Sequence, residues 1–359
     1  AEYRLGRVAE WSQPRYQLDN RFVNLTLLLD KGEDAQQRWQ PEDYRFNDLR
    51  DVLAKVDDPA LVLLGAPGSG KSTLLRRFQM DHSLDELRAD GQKLTFFIQL
   101  NGYRGQSSPR EWLNTQWASL YPTLETLDSY LQAGRVILLL DALNEMPHKS
   151  TAEYHERVAQ WRAFTQEVVA QGNRAIFSCR SLDYSASLSS KDLRVPQIEV
   201  QPMSPEQVRE FIALYSPTQA AAIWGELDGS PQFDLFRTPI YLKLLLDQVQ
   251  RQQRVPKGKA ELFTQFVRQQ LVRNIEHPLL APNGLLTGRD HTKLTQDAWK
   301  SPFELPERGL LLPNLSLLAF AMQQSTLETE GGLVRIDYDD ACEQMNSGRD
   351  EDVLKAGVA

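Results

Sequence analysis

Leu61-Val62-Leu63-Leu64-Gly65-Ala66-Pro67-Gly68-Ser69-Gly70-Lys71-Ser72-Thr73 is the run on which the reading of this chain turns. Leu61 to Leu64 is apolar throughout and predicts a buried strand, while Ser72 to Met80 predicts a helix. The residues between have the form G-x-x-x-x-G-K-S. Glycines at 65, 68 and 70 let the backbone bend until successive N–H groups turn inward. The helix that follows adds its own unpaired N–H groups and the positive end of its dipole. Such a cradle suits a polyphosphate. Lys71 brings a full charge to the β- and γ-phosphates, and the Ser72 hydroxyl is placed to coordinate Mg²⁺. The candidate nucleotide-binding residues are thus Gly65, Ala66, Pro67, Gly68, Ser69, Gly70, Lys71, Ser72 and Thr73.

A nucleotide site also needs an acidic group for the metal and one to handle water. Val136-Ile137-Leu138-Leu139-Leu140 is apolar without a break, which predicts a strand covered on both faces, and it ends in Asp141. Ligands of open parallel sheets bind at the carboxyl ends of strands. Asp141 therefore becomes the candidate Mg²⁺ ligand with Ser72. Glu145, four residues on, is placed to orient or deprotonate a water. A further strand, Ala175 to Cys179, ends at Arg180, whose guanidinium is a candidate sensor of the γ-phosphate.

Working outward, strands alternate with helices. Leu94 to Leu100 and Gln197 to Val200 read as strands. Phe46 to Val56, Arg110 to Leu120, Ala152 to Ala170 and Ser204 to Tyr215 read as helices, the last opened by Ser204-Pro205-Glu206. The alternation predicts a parallel sheet between layers of helices. After about residue 216 the strand signals fade. Helices are expected at Ile240 to Gln250, Ala260 to Arg273, Leu315 to Gln323 and Tyr338 to Met345, with a loop-rich stretch from Glu276 to Pro313. Before residue 48, Asn24 to Leu29 reads as a short apolar helix or strand and Asp30 to Gln40 as polar.

The chain has 359 residues, 41% apolar and 25% charged, enough for two or three soluble domains. A net charge of −8 argues against nucleic-acid binding as the main activity. Cys179 and Cys342 give neither a disulfide framework nor a metal spacing, which points to a reducing cytoplasm. None of the five histidines (His82, His148, His155, His277, His291) falls in a ligand pattern. No apolar run approaches the length of a membrane span. The chain lacks an initiator Met and stops in mid-pattern, so it reads as a piece of a longer protein.

With these motifs in place the chain resembles the NACHT family of signal-transducing ATPases. This family is a STAND-class branch of the AAA-like P-loop proteins, related to the NOD-like receptors. The resemblance rests on Val62 to Leu75, on Leu138-Leu139-Leu140-Asp141-Ala142-Leu143-Asn144-Glu145 with its small residue after the aspartate, and on Ile176 to Arg180. Arg237-Thr238-Pro239-Ile240-Tyr241-Leu242 looks like the family's proline-containing helix start, and by resemblance Pro239 packs near the adenine. Leu315 to Met322 resembles the opening of a winged-helix domain. The resemblance covers roughly residues 50–345. It implies a lead segment or linker over 1–48, a P-loop nucleotide-binding domain over 49–215, a helical domain over 216–300 and a partial winged-helix region over 301–359.

The family's behaviour implies an ATP/ADP switch with Mg²⁺. It is held closed with ADP and assembles on ATP binding to activate an effector, with sensor and effector outside this chain; in a prokaryotic setting the role is anti-phage defence. Two departures bear on this. Asn144 stands where family members commonly carry Asp, which halves the acidic pair and bears on fast hydrolysis more than on binding. The winged-helix histidine that contacts the β-phosphate falls beyond residue 359. An AAA-type ATPase motor and a nucleotide-binding scaffold with negligible hydrolysis are the alternatives. The absence of an Asn-Lys-x-Asp guanine-reading motif favours adenine.

Overall fold

The computed structural model of the chain describes residues 2–13, 27–29, 45–148, 150–252, 254–281, 284–328, 336, 338–345 and 347–358. It divides into two compact units: Ala1–Pro217 with Phe236–Ile240, and Thr218–Leu235 with Tyr241–Ala359. The expected feature over Asn24 to Leu29 is described only at 27–29, and the polar stretch from Asp30 to Gln40 lies outside the described residues.

The first unit runs α1 (Glu2–Trp11), β1 (Leu27–Leu29), β2 (Arg45–Phe46), α2 (Leu49–Lys55), β3 (Ala60–Gly65), α3 (Lys71–Arg88), β4 (Leu94–Gln99), α4 (Pro109–Leu120), α5 (Leu127–Gln132), β5 (Val136–Asp141), α6 (Thr151–Ala170), β6 (Arg174–Arg180), β7 (Gln197–Val200) and α7 (Pro205–Tyr215). The strands form one sheet in the order β2-β1-β7-β3-β6-β5-β4. The pairings from β7 to β4 are all parallel, as expected for an AAA-like P-loop sheet. β1 and β2 extend it with antiparallel pairings. Every residue of β3 and β5 is buried, which is why both read as unbroken apolar runs rather than alternating ones.

One core packs helices against the sheet, with Phe96, Trp117, Trp161 and Phe177 at its centre. Each such side chain is worth about 1.5–3 kcal/mol of burial. Helix ends are set by local chemistry. Ser108 and Ser204 open α4 and α7 with reciprocal capping boxes, and Ser150 caps α6. Asp48 accepts the Arg50 N–H and starts α2 at Leu49. Phe46, read as the first turn of that helix, instead closes β2.

Residues 2–13 pack into this unit. Tyr3, Arg7 and Trp11 share one face of α1 at i, i+4 and i+8. Tyr3 Oη donates to Thr95 O at 2.5 Å. Trp11 Nε1 donates to Gln79 Oε1 at 2.8 Å, and Gln79 Nε2 donates to the same Thr95 carbonyl at 2.7 Å. Trp11 also meets Phe97 edge-on at 5.6 Å. Trp11→Ala is expected to cost about 3–5 kcal/mol, because it empties a buried ring site and strands a buried amide oxygen. Thermal unfolding checks this: the midpoint should fall by about 10 °C, and an unmoved midpoint would remove α1 from the folded unit.

The second unit is helical: α8 (Ala220–Leu227), α9 (Phe233–Phe236, ending in the first unit), α10 (Pro239–Gln252, beginning in the first), α11 (Lys259–Arg273), α12 (Gly288–Gln296), α13 (Leu311–Glu328), α14 (Tyr338–Met345) and α15 (Asp350–Val358). Leu271, Leu285, Leu286, Leu294, Leu311, Met345 and Val353 form its core. Arg268 lies over the Trp299 ring at 4.1 Å and donates to the Ser301 carbonyl at 2.8 Å. α12 falls in the stretch read as loop. Thr287 caps it, but it carries a single buried apolar residue, Leu294, and so shows no periodicity. Among the described residues no helix is long and apolar enough to cross a membrane.

Candidate functional site

The loop between β3 and α3 has the geometry the glycines anticipate. Gly68 and Gly70 have φ of +73° and +99°, in the left-handed region that side chains disfavour. A Cβ on Gly68 would also fall 2.2 Å from Ile240 Cγ2, so that position excludes a side chain twice over. α3 starts at Gly70 with no side-chain cap and no acid in its first turn. Its leading N–H groups are therefore left for an anion.

Lys71 Nζ folds back over the loop and donates to the carbonyls of Gly65 at 2.7 Å and Ala66 at 3.0 Å. Burial lowers its pKa to about 8 from 10.5, with Arg180 adding to the fall and Cys179, Asp141 and Asp183 opposing it. A phosphate would replace the carbonyls as acceptor and draw the pKa back up. Burial acts on the Cys179 thiol in the other direction, pushing it up to about 12, so it stays neutral.

β6 lies between β3 and β5, so it touches both motif strands. This brings Ser178, which the sequence reading did not single out, against Asp141. Ser178 Oγ donates to Asp141 Oδ1 at 2.6 Å and accepts the Ala142 N–H at 2.8 Å. Ser72 Oγ donates to the same carboxylate oxygen at 3.0 Å. Asp141 is 1% exposed, and its Oδ2 is buried without a hydrogen-bond partner. An unpartnered buried carboxylate oxygen is costly. A divalent cation resting on it and on Ser72 Oγ would satisfy it. The residues thus fit Mg²⁺, which takes one or two carboxylates and completes its shell with phosphate and water. No cluster of three or more His, Cys, Asp or Glu among the described residues could hold a metal. Ala142 has φ +61° and ψ 57°, so the small residue after Asp141 sits in a left-handed turn that a bulkier side chain would strain further.

Glu145 ends the short 3₁₀ turn Leu143–Glu145. Arg180 forms an ion pair with it at 3.3 Å and lies 3.9 Å from Asp183 Oδ2. Lys71, Ser72, Asp141, Glu145 and Arg180 all line one cavity of about 350 Å³, together with Pro67, Gly68, Gly70 and Thr73. Among the candidates from the loop, Gly65 and Ala66 serve as acceptors for Lys71. Ser69 is buried, with its hydroxyl against Gly65.

The apolar part of the lining is Met203, Phe211, Pro239 and Ile240. Arg237 holds this wall in place. Its Nε donates to Met203 O at 2.8 Å, and its own carbonyl accepts the Met203 N–H at 2.9 Å. Pro239 then begins α10, and the Ile240 N–H donates to Gly68 O at 3.4 Å. Of this wall the sequence pointed only to Pro239; Met203 and Phe211 follow ordinary core spacing. Arg76, one turn beyond Thr73 on α3, also lines the cavity and lies over the Trp11 ring at 5.7 Å.

Among solved structures, the chain is similar to a Walker-type ATPase of Pyrococcus abyssi, with 15% identity, a TM-score of 0.40, and coverage of 83% of this chain and 87% of that one. It is also similar to the replication initiator DnaA bound to AMPPCP and single-stranded DNA, with 10% identity, a TM-score of 0.32, and coverage of 86% and 84%. A third likeness is to katanin in a structure concerned with its self-assembly, with 13% identity, a TM-score of 0.33, and coverage of 55% and 61%. The family model of the NACHT domain matches residues 60–218, a span that takes in the cradle, Asp141, Glu145 and Arg180. The family so matched is one of P-loop NTPases.

Proposed function

We propose that the chain binds ATP and ADP with Mg²⁺, hydrolyses ATP slowly, and works as a signal-transduction switch. The observation that carries this reading is the meeting of an uncapped glycine-framed helix start with a buried carboxylate, Asp141, that has one oxygen unpartnered. The loop N–H groups and Lys71 bind the β- and γ-phosphates. Ser72 and Asp141 hold Mg²⁺, which when bound neutralises phosphate charge. The apolar wall of Met203, Phe211, Pro239 and Ile240 suits a purine face.

In hydrolysis, Glu145 orients a water and takes its proton as the water oxygen bonds to the γ-phosphorus. The bond from that phosphorus to the β–γ bridging oxygen breaks, and ADP leaves with the electron pair. Arg180 must turn from Glu145 toward the γ-phosphate for this to occur. The same exchange of partners tells the protein which nucleotide it holds. A differential affinity of a few kcal/mol is enough to move a closed population to an open one.

In the setting the family implies, the ADP form is closed. The ATP form assembles through its nucleotide domains and activates an effector, in prokaryotes as antiviral defence. The region after 300 is then the start of a winged-helix domain. The test is the nucleotide that co-purifies, released by denaturation and separated by ion exchange. ADP is expected, together with assembly, read by light scattering, when a non-hydrolysable ATP analogue replaces it. Protein that carries no nucleotide and has no affinity for ATP or ADP would end this reading.

A further inference from the structure

Asn144 is the departure that halves the family's acidic pair, yet its side chain is fully engaged. Its Oδ1 accepts the Arg180 backbone N–H at 3.2 Å, and its Nδ2 donates to Asp183 Oδ2 at 3.1 Å. Asp183 ends the 3₁₀ turn Ser181–Asp183 that follows β6, and Asn144 sits in the turn that follows β5. One amide therefore joins the two loops that carry Glu145 and Arg180. Leu182 within the second turn is 97% exposed, so apolar packing of that side chain does not hold the turn.

We propose that Asn144 and Asp183 act together as positioning residues for hydrolysis: the amide splices the two loops, and Asp183 supplies beside Arg180 the second carboxylate that position 144 lacks. The proposal rests on the nucleotide reading of the site. An amide can do what Asn144 does and an ionised carboxylate cannot, because the side chain must accept from one partner and donate to the other. A carboxylate at 144 would face the Asp183 carboxylate at hydrogen-bond distance, and one of the two would have to protonate or turn away. Restoring the family's aspartate here should therefore harm the site. Exchanging the two residues should repair it. A carboxylate at 144 can accept both from the Arg180 N–H and from an amide at 183, and the number of charges near Arg180 is unchanged.

The experiment compares Asn144→Asp, Asp183→Asn and the double exchange with the unaltered chain. It measures single-turnover ATP hydrolysis and, separately, ATP affinity. Asn144→Asp should slow hydrolysis about tenfold or more, and Asp183→Asn by a smaller factor of about three to five, both with affinity within about threefold. The double exchange should return to within about threefold of the unaltered rate, a coupling of the size that contacting residues show. A merely structural role would lower ATP affinity along with the rate, which the separate affinity measurement reads. Two results would overturn the proposal while leaving nucleotide binding intact: Asn144→Asp hydrolysing as fast as or faster than the unaltered chain, or losses that simply multiply in the double exchange. If the unaltered chain shows no affinity for ATP, the nucleotide reading falls and this proposal with it.

Discussion

Lys71→Ala is expected to lower nucleotide affinity by about 100-fold or more while leaving the fold intact. Without ligand, Lys71 Nζ bonds, among the described residues, to the carbonyls of Gly65 and Ala66. Its removal costs the resting structure little, and the freed carbonyls lie at a cavity that water enters. With phosphate bound, the same ammonium makes charge-assisted bonds in a partly dry site. Losing such contacts costs about 3 kcal/mol, or about two powers of ten. Titration calorimetry with ADP and ATP checks this, and retained affinity would show that the loop is not a phosphate cradle. The pH dependence follows with the same sign. Burial holds Lys71 at about 8, below its usual 10.5, and a bound phosphate draws it back up. Between those values, binding takes up a proton and affinity falls as pH rises; below about 8 it is flat. The ligand-free fold gains stability over the same interval, because the unfolded chain there binds the proton that the folded chain has released.

The bend of the loop before α3 is legible in the sequence because it is one contiguous stretch whose glycines, lysine and serine act through neighbours in sequence. The Asp141 strand was legible because a strand covered on both faces leaves an unbroken apolar run. Strand order is not written in such runs. Nothing in Ile176 to Arg180 says that β6 separates β3 from β5, so neither the Ser178–Asp141 contact nor the Asn144–Asp183 bond could be foreseen. Asn144 read alone looked like a deficit; beside Asp183 it is an amide with two partners. α1 is not legible in its sequence, which mixes Arg and Glu among the aromatics, and its docking face matters only once α3 and β4 are in place beside it. α12 is hidden for a different reason, since its helix has the Thr287 cap but only Leu294 as a buried apolar residue.

Glu145→Gln is expected to preserve nucleotide binding within about threefold and to slow hydrolysis by about 100-fold or more, the usual scale of a lost general base. The amide keeps the size of the side chain and an oxygen that accepts from Arg180, so the 3₁₀ turn and the pocket wall persist. What it loses is the ability to take a proton from water. Its neutrality has a second consequence. The Arg180–Glu145 pair, 3.3 Å apart, opposes any turn of the guanidinium toward a γ-phosphate. Removing the charge relaxes that hold, so the variant should favour ATP over ADP by more than the unaltered chain does and remain in the ATP state. A trapped, assembled form that turns over poorly is thus the expected phenotype, read as retained ATP on ion exchange and a larger particle in light scattering. A merely structural carboxylate would give the opposite pattern, with turnover unchanged and affinity reduced. Equal turnover in the two proteins would take Glu145 out of the chemistry and leave it a pairing role with Arg180.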